Sequence, residues 1–264
     1  MGHVIATGGG EIGDGETREI EERVVEAADA SHPTVLFVPT ASQEPPGYVE
    51  KIEQVYGDEL GCDVEVLRLL YDPDSEAERE RKVQDADVVY VGGGSTRFMM
   101  QVWDAYGVDE LLREAHADGT VMTGNSSGAI CWFQSGFDLS SDAAAELIPS
   151  GGLGLYEFDC TCHVERDDFH SLTETFVQRR AEPTISLTAN AAFEIVDDRS
   201  SCGTVTAWSG RNSNERTSSG RCRRSGPGTD YGRGRSVRRR PSTTIRPPVR
   251  GSGVTESIYS TPIR

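Results

Sequence analysis

The chain has 264 residues and carries 43 Asp or Glu against 26 Lys or Arg, a formal charge of -17, which admits one large α/β domain or two small ones. No apolar run approaches membrane-spanning length, and the first residues lack the basic stretch and apolar segment of a secretion signal, so a cytoplasmic protein is expected. The charge is divided: residues 199–264 hold 14 Arg against three acids, whereas residues 1–198 hold 12 basic and 40 acidic residues.

Along the first two hundred residues, strand-like and helix-like segments alternate. Strands are expected at 4–7, 34–39, 64–70, 87–91 and 120–123, each short and almost wholly apolar, as in strands covered on both faces. Helices are expected between them at 17–30, 47–60, 75–84, 96–106 and 109–117. Ser75 ahead of an acidic turn and Gly119 after the last of them supply cap signals. This alternation predicts a doubly wound, mostly parallel α/β sheet with helices on both faces and ligands at the carboxyl ends of its strands. The six cysteines have no framework spacing, so reduced thiols are expected.

Three stretches carry chemistry. Strand 120–123 runs into Gly124-Asn125-Ser126-Ser127-Gly128, a G-x-S-x-G elbow that exposes the central hydroxyl at a tight strand-to-helix turn. Strand 87–91 runs into Gly92-Gly93-Gly94, whose N–H groups no side chain screens from an anion. A serine hydroxyl needs a base, and His163, in Cys160-Thr161-Cys162-His163 after a glycine-rich segment, has the loop context to supply it. Gly8-Gly9-Gly10-Glu11-Ile12-Gly13 fits a dinucleotide fingerprint. However, the second strand ends in Val38-Pro39-Thr40-Ala41, without the acid such a site uses. Cys160, Cys162 and His163 lack a fourth ligand at metal-site spacing.

These stretches together resemble the peptidase E and cyanophycinase family of serine peptidases, whose α/β fold is related to class I glutamine amidotransferases. The matching segments are Ile5-Ala6-Thr7-Gly8-Gly9-Gly10-Glu11-Ile12, Val35-Leu36-Phe37-Val38-Pro39-Thr40-Ala41-Ser42, residues 91–96, residues 124–133 and the region of His163. The resemblance implies Ser126 as nucleophile and His163 as general base and then acid. It also implies an oxyanion hole of backbone N–H groups at Gly93 or Gly94 and Ser127. Asp142 sits near the family's spacing for a third, acidic member, with Asp138 and Glu146 as competitors. No metal or organic cofactor is called for. The implied substrate is a short peptide with an N-terminal aspartyl residue; the alternatives are cyanophycin-like β-aspartyl material or a catalytically silent binding domain. The aspartyl carboxylate requires a cation, for which Arg97, just after the glycine loop, is the candidate. The sequence departs from the family in having Cys162 before the histidine and Val164-Glu165 after it.

The resemblance stops near Asp198, so residues 1–198 are expected to form the domain and 199–264 a disordered or non-native tail, of a composition that an out-of-frame reading of GC-rich DNA would give. Its aromatics are sparse (Trp208, Tyr231, Tyr259), so nucleic-acid binding is not expected.

Overall fold

A computed structural model of the protein describes residues 2–139, 147–198 and 201–209. Five parallel strands form the centre: β1 (His3–Thr7), β2 (Thr34–Val38), β3 (Asp63–Val66), β4 (Val88–Val91) and β5 (Val121–Asn125), in the spatial order β3-β2-β4-β5-β1. Between them run α1 (Arg18–Ala27), α2 (Pro46–Ile52), α3 (Glu76–Gln84), α4 (Thr96–Tyr106) and α5 (Val108–Asp118). The expected doubly wound architecture is the observed one.

Strand alternation divides the core. Val4, Ala6, Leu36, Val38, Val89, Val91 and Met122 face Met99 and Trp103 of α4 and Leu112 of α5. Ile5, Val35, Phe37, Val88, Tyr90 and Val121 face Ile20 and Val24 of α1 and Val49 and Ile52 of α2. Each buried Val, Leu, Ile, Phe or Met among them contributes about 1.5–3 kcal/mol by leaving water. Ser75 caps α3 in a capping box with Glu78, and Gly119 ends α5 in the left-handed conformation.

Two expected elements differ. Helix α2 continues as a wider π-type turn over Glu53–Glu59. Strand β3 stops at Val66: Leu67 N–H still reaches Phe37 O of β2 at 2.9 Å, but the N–H groups after it turn to carboxylates, Arg68 donating to Asp74 at 2.9 Å and Leu69 and Leu70 to Glu44 at 2.6 and 3.1 Å.

After β5 the chain makes a single helical turn, α6 (Ser127–Ile130), and enters a second sheet. This comprises β6 (Phe133–Leu139), β7 (Leu147–Gly151), β8 (Tyr156–Thr161) and β9 (Thr184–Ser186), in the order β7-β6-β8-β9, with α7 (Asp167–Gln178) between β8 and β9. Buried Asp159 of β8 is neutralised by Arg180 (2.6 and 3.1 Å) and accepts from Ser135 of β6 (2.6 Å).

Strand β10 (Ala191–Asp198) returns antiparallel to β1, and β11 (Ser201–Ser209) pairs antiparallel with β10. The sheet thus runs beyond the boundary expected at residue 198.

Candidate functional site

The carboxyl ends of β1, β4 and β5 converge, and the loop after β8 is laid over them. Ser126 follows β5 directly, with φ 57° and ψ -113°, outside the regions comfortable for a residue with a side chain. The turn is held from both sides. Ser126 N–H donates to Thr7 O at 2.9 Å, and Ser126 O accepts from the N–H groups of Ala129 and Ile130. Only glycine fits at position 128, where a Cβ would lie 2.0 Å from Val91 O. The elbow is therefore built against the end of β4, beside the glycine loop, and Ser127 Oγ donates to Gly94 O at 2.5 Å.

His163 arrives from the second sheet. Its N–H donates to Gly8 O at 3.3 Å, and the neighbouring Val164 N–H donates to Leu187 O at 3.3 Å. With φ 59°, the backbone turns sharply at His163. The ring comes to Ser126 with Nε2 2.9 Å from Oγ, and its edge meets Phe169 of α7 with centroids 5.4 Å apart. Burial is the largest influence on the imidazole and pushes its pKa down, whereas the Glu165 carboxylate pulls it up. The neutral ring is thus the form favoured at neutral pH, with Nε2 able to accept a proton from the hydroxyl.

Two cavities flank the pair. The first, about 180 Å³, is lined by Gly94, Ser127, Ile130, Phe137, Cys162 and Phe169 together with Ser126 and His163. The second, about 530 Å³, lies on the other side and is lined by Glu11, Glu16, Tyr48, Lys51, Gly93 and Asn125 with the same pair. Gly94 and Ser127 thus border one cavity and Gly93 the other.

The remaining candidates are placed differently. Asp138 lines the first cavity but is committed to the N-terminus of α4, accepting from Ser95 Oγ at 2.7 Å, Thr96 N at 3.1 Å and Arg97 N at 3.0 Å. Asp142 and Glu146 lie outside the described residues. Arg97 is exposed in the first turn of α4 and lines neither cavity. The cation that does line one is Lys51 of α2, which pairs with Glu11 at 3.3 Å. Glu165 Oε1 lies 3.9 Å from His163 Nδ1. The sequence reasoning passed over both residues. For Lys51, the signal was the scarcity of lysine, which occurs at only two positions. For Glu165, it was the acid standing two residues after the histidine.

Cys62, Cys131, Cys160 and Cys162 are free and buried; burial pushes the thiols of Cys131 and Cys160 well up, which keeps them protonated. Among the described residues, no His, Cys, Asp and Glu cluster could hold a metal ion, and no helix is long and apolar enough to cross a membrane.

Known proteins share this plan. The chain is 32% identical to an uncharacterized peptidase, YgaJ, of Bacillus subtilis over 178 residues, covering 65% of this chain and 75% of that one. It is 33% identical to the uncharacterized peptidase Lmo0363 of Listeria monocytogenes over 156 residues, covering 56% and 74%. The fold matches the crystal structure of a putative peptidase E protein from Listeria monocytogenes with TM-score 0.61 and 24% identity, over 79% of this chain and 98% of that one. It also matches a peptidase from an acI-B1 Actinobacterium with TM-score 0.61 and 18% identity, over 83% and 95%. The sequence model of peptidase family S51 matches residues 4–202. The chain belongs to peptidase family S51 and is a serine-type peptidase.

Proposed function

We propose that the protein hydrolyses short peptides at an N-terminal aspartyl residue, through an acyl-enzyme on Ser126. The observation that carries this reading is the 2.9 Å contact between Ser126 Oγ and His163 Nε2 at the junction of two cavities. His163 takes the hydroxyl proton as Oγ attacks the scissile carbonyl, then gives it to the leaving amine. Backbone N–H groups of Gly93 or Gly94 and of Ser127 hold the oxyanion. Water then attacks the ester, with His163 again the base, and the serine is regenerated.

The second cavity supports a substrate with a free amino terminus. Glu11 and Glu16 place two carboxylates there against the single ammonium of Lys51, so an incoming α-ammonium is electrostatically favoured. In this reading Lys51, rather than Arg97, meets the aspartyl carboxylate.

The test is product analysis with a panel of Asp-X, Glu-X and β-Asp-X dipeptides, alongside labelling by a fluorophosphonate. Asp-X should be cleaved with release of free aspartate, and Ser126→Ala should lose labelling and roughly 10⁴-fold or more of the rate. A Ser126→Ala protein that still cleaves would refute the nucleophile. Preference for β-Asp-X would move the substrate to the isopeptide class, and labelling without turnover of any dipeptide would refute the substrate assignment.

A further inference from the structure

We propose that Glu165 is the positioning residue that holds the His163 imidazole in its working tautomer, the part for which the sequence pointed to an acid near residue 142. The inference rests on the reading of Ser126 and His163 given above.

With Nε2 facing the serine hydroxyl, the tautomer that can accept a proton carries its hydrogen on Nδ1. A partly buried N–H of this kind needs an acceptor, and the imidazolium formed during attack needs a nearby negative charge. The Glu165 carboxylate is placed to provide both. One oxygen is anchored by the Ala189 N–H at 2.9 Å, and the other lies 3.9 Å from Nδ1.

The backbone explains the placement. Arg166 N–H donates to His163 O at 3.0 Å, closing residues 163–166 into a tight turn that starts from the positive φ of His163. Val164 N–H fastens that turn to Leu187, two residues before the amide that anchors Glu165. The carboxylate is thus held through the turn that carries it and through one of its own oxygens. The gap to Nδ1 exceeds a hydrogen bond by roughly 1 Å, and such contacts tighten when the ring acquires charge.

The other described acids near the ring are engaged elsewhere. Asp138, across the first cavity, is occupied by the cap of α4. Asp168 of α7 is gripped by Arg166 at 2.8 and 3.2 Å. Glu11 and Glu16, with Lys51, line the cavity on the opposite side. The ring also meets Gly9 and Phe169, neither of which carries a carboxylate.

The decisive experiment compares Glu165→Gln, Glu165→Asp, Asp142→Asn and Ser126→Ala with wild type. It reads kcat and KM on an Asp-X dipeptide across pH, and the rate of fluorophosphonate labelling. Glu165→Gln should lower kcat roughly 10- to 100-fold with little change in KM, the lower part of the range for acid–base assistance because the carboxylate is part exposed. The same change removes a charge that favours the imidazolium, so the acid limb of kcat/KM should move to lower pH, which a merely structural role would not produce. Glu165→Asp should recover part of the rate. A Glu165→Gln enzyme with wild-type kcat and an unmoved limb would overturn the assignment, as would an Asp142→Asn enzyme that loses more than Glu165→Gln. If Ser126→Ala keeps its labelling and turnover, it is the Ser126 reading that fails, and the role of Glu165 falls with it.

Discussion

A Cβ at Gly9 would lie 2.5 Å from Cε1 and 2.7 Å from Nδ1 of His163. The first glycine loop is therefore the wall that fixes the imidazole from the side opposite its turn. Glycine is required twice here, for the close approach and for a φ of 150° that side chains rarely adopt. Gly9→Ala should leave the protein folded by circular dichroism but displace the ring. A displacement of about 1 Å costs on the order of 10²-fold in kcat. Fluorophosphonate labelling should slow in parallel, because it depends on the same Ser126–His163 contact. Unchanged labelling would show that the loop yields instead of the ring.

Arg166 acts on His163 with the opposite sign to Glu165. Its guanidinium disfavours the imidazolium, and it is held over the Phe169 ring at 4.7 Å while pairing with Asp168. Arg166→Gln should raise the imidazole pKa and move the acid limb of kcat/KM to higher pH. The shift should shrink as salt is added, since the side chain is exposed and screened. Limbs moving the same way in Arg166→Gln and Glu165→Gln would mean that repacking, not charge, governs the profile.

Much of this was legible in the sequence. Val35-Leu36-Phe37-Val38 and Val88-Val89-Tyr90-Val91 read as buried strands because both faces of the sheet are covered, so no polar alternation interrupts them. The excess length assigned to β3 came from Leu67, Leu69 and Leu70, which are apolar as a strand would be. From Arg68 onward the segment is held instead by the carboxylates of Glu44 and Asp74, and no local periodicity records those partners. The second sheet was missed for a related reason. Its β6 contains Gly136 and its β7 contains Pro149, which weaken the strand signal, and their register comes from each other. Ser126 and His163 stood out by motif and by loop context. Glu165 did not, because the turn that brings it back to the ring depends on a positive φ at His163, and acids are common in this chain.

Asp138 separates a cap from a catalytic acid. Both of its oxygens serve the first turn of α4, where a carboxylate also interacts favourably with the helix dipole. Asp138→Ala should lower stability by about 1–3 kcal/mol, measured from urea midpoints, by orphaning two N–H groups and the Ser95 hydroxyl. Asp138→Asn should cost less and leave the acid limb of kcat/KM where it is. A moved limb would give Asp138 electrostatic contact with His163.

Lys51 tests the substrate assignment. Its ammonium sits at the rim of the second cavity with only Glu11 as an ion-pair partner among the described residues. Lys51→Met should raise KM for Asp-X roughly 5- to 30-fold, the worth of about 1–2 kcal/mol for a charge-assisted hydrogen bond near solvent. It should leave kcat and labelling of Ser126 unaltered, and it should not weaken a neutral analogue such as Asn-X. Equal losses for Asp-X and Asn-X would place the aspartyl carboxylate elsewhere.

Glu21 gives a stability prediction independent of catalysis. It lies on the buried face of α1, and burial pushes its carboxyl from 4.5 to about 7, with the Thr17 hydrogen bond and Arg18 opposing the rise. In the unfolded chain the group ionises near 4.5, so between about 4.5 and about 7 the folded state binds more protons than the unfolded one. Stability must therefore fall as pH rises through that window, by about 3 kcal/mol for a shift of this size, and the loss persists at higher pH. Glu21→Gln keeps the shape and removes the titration. Its urea midpoint should match wild type near pH 5 and exceed it at pH 8, because the wild-type chain must then either bury a carboxylate or open α1 to hydrate it. Parallel curves for the two proteins across that range would mean that Glu21 reaches water in the folded state and that its burial costs nothing.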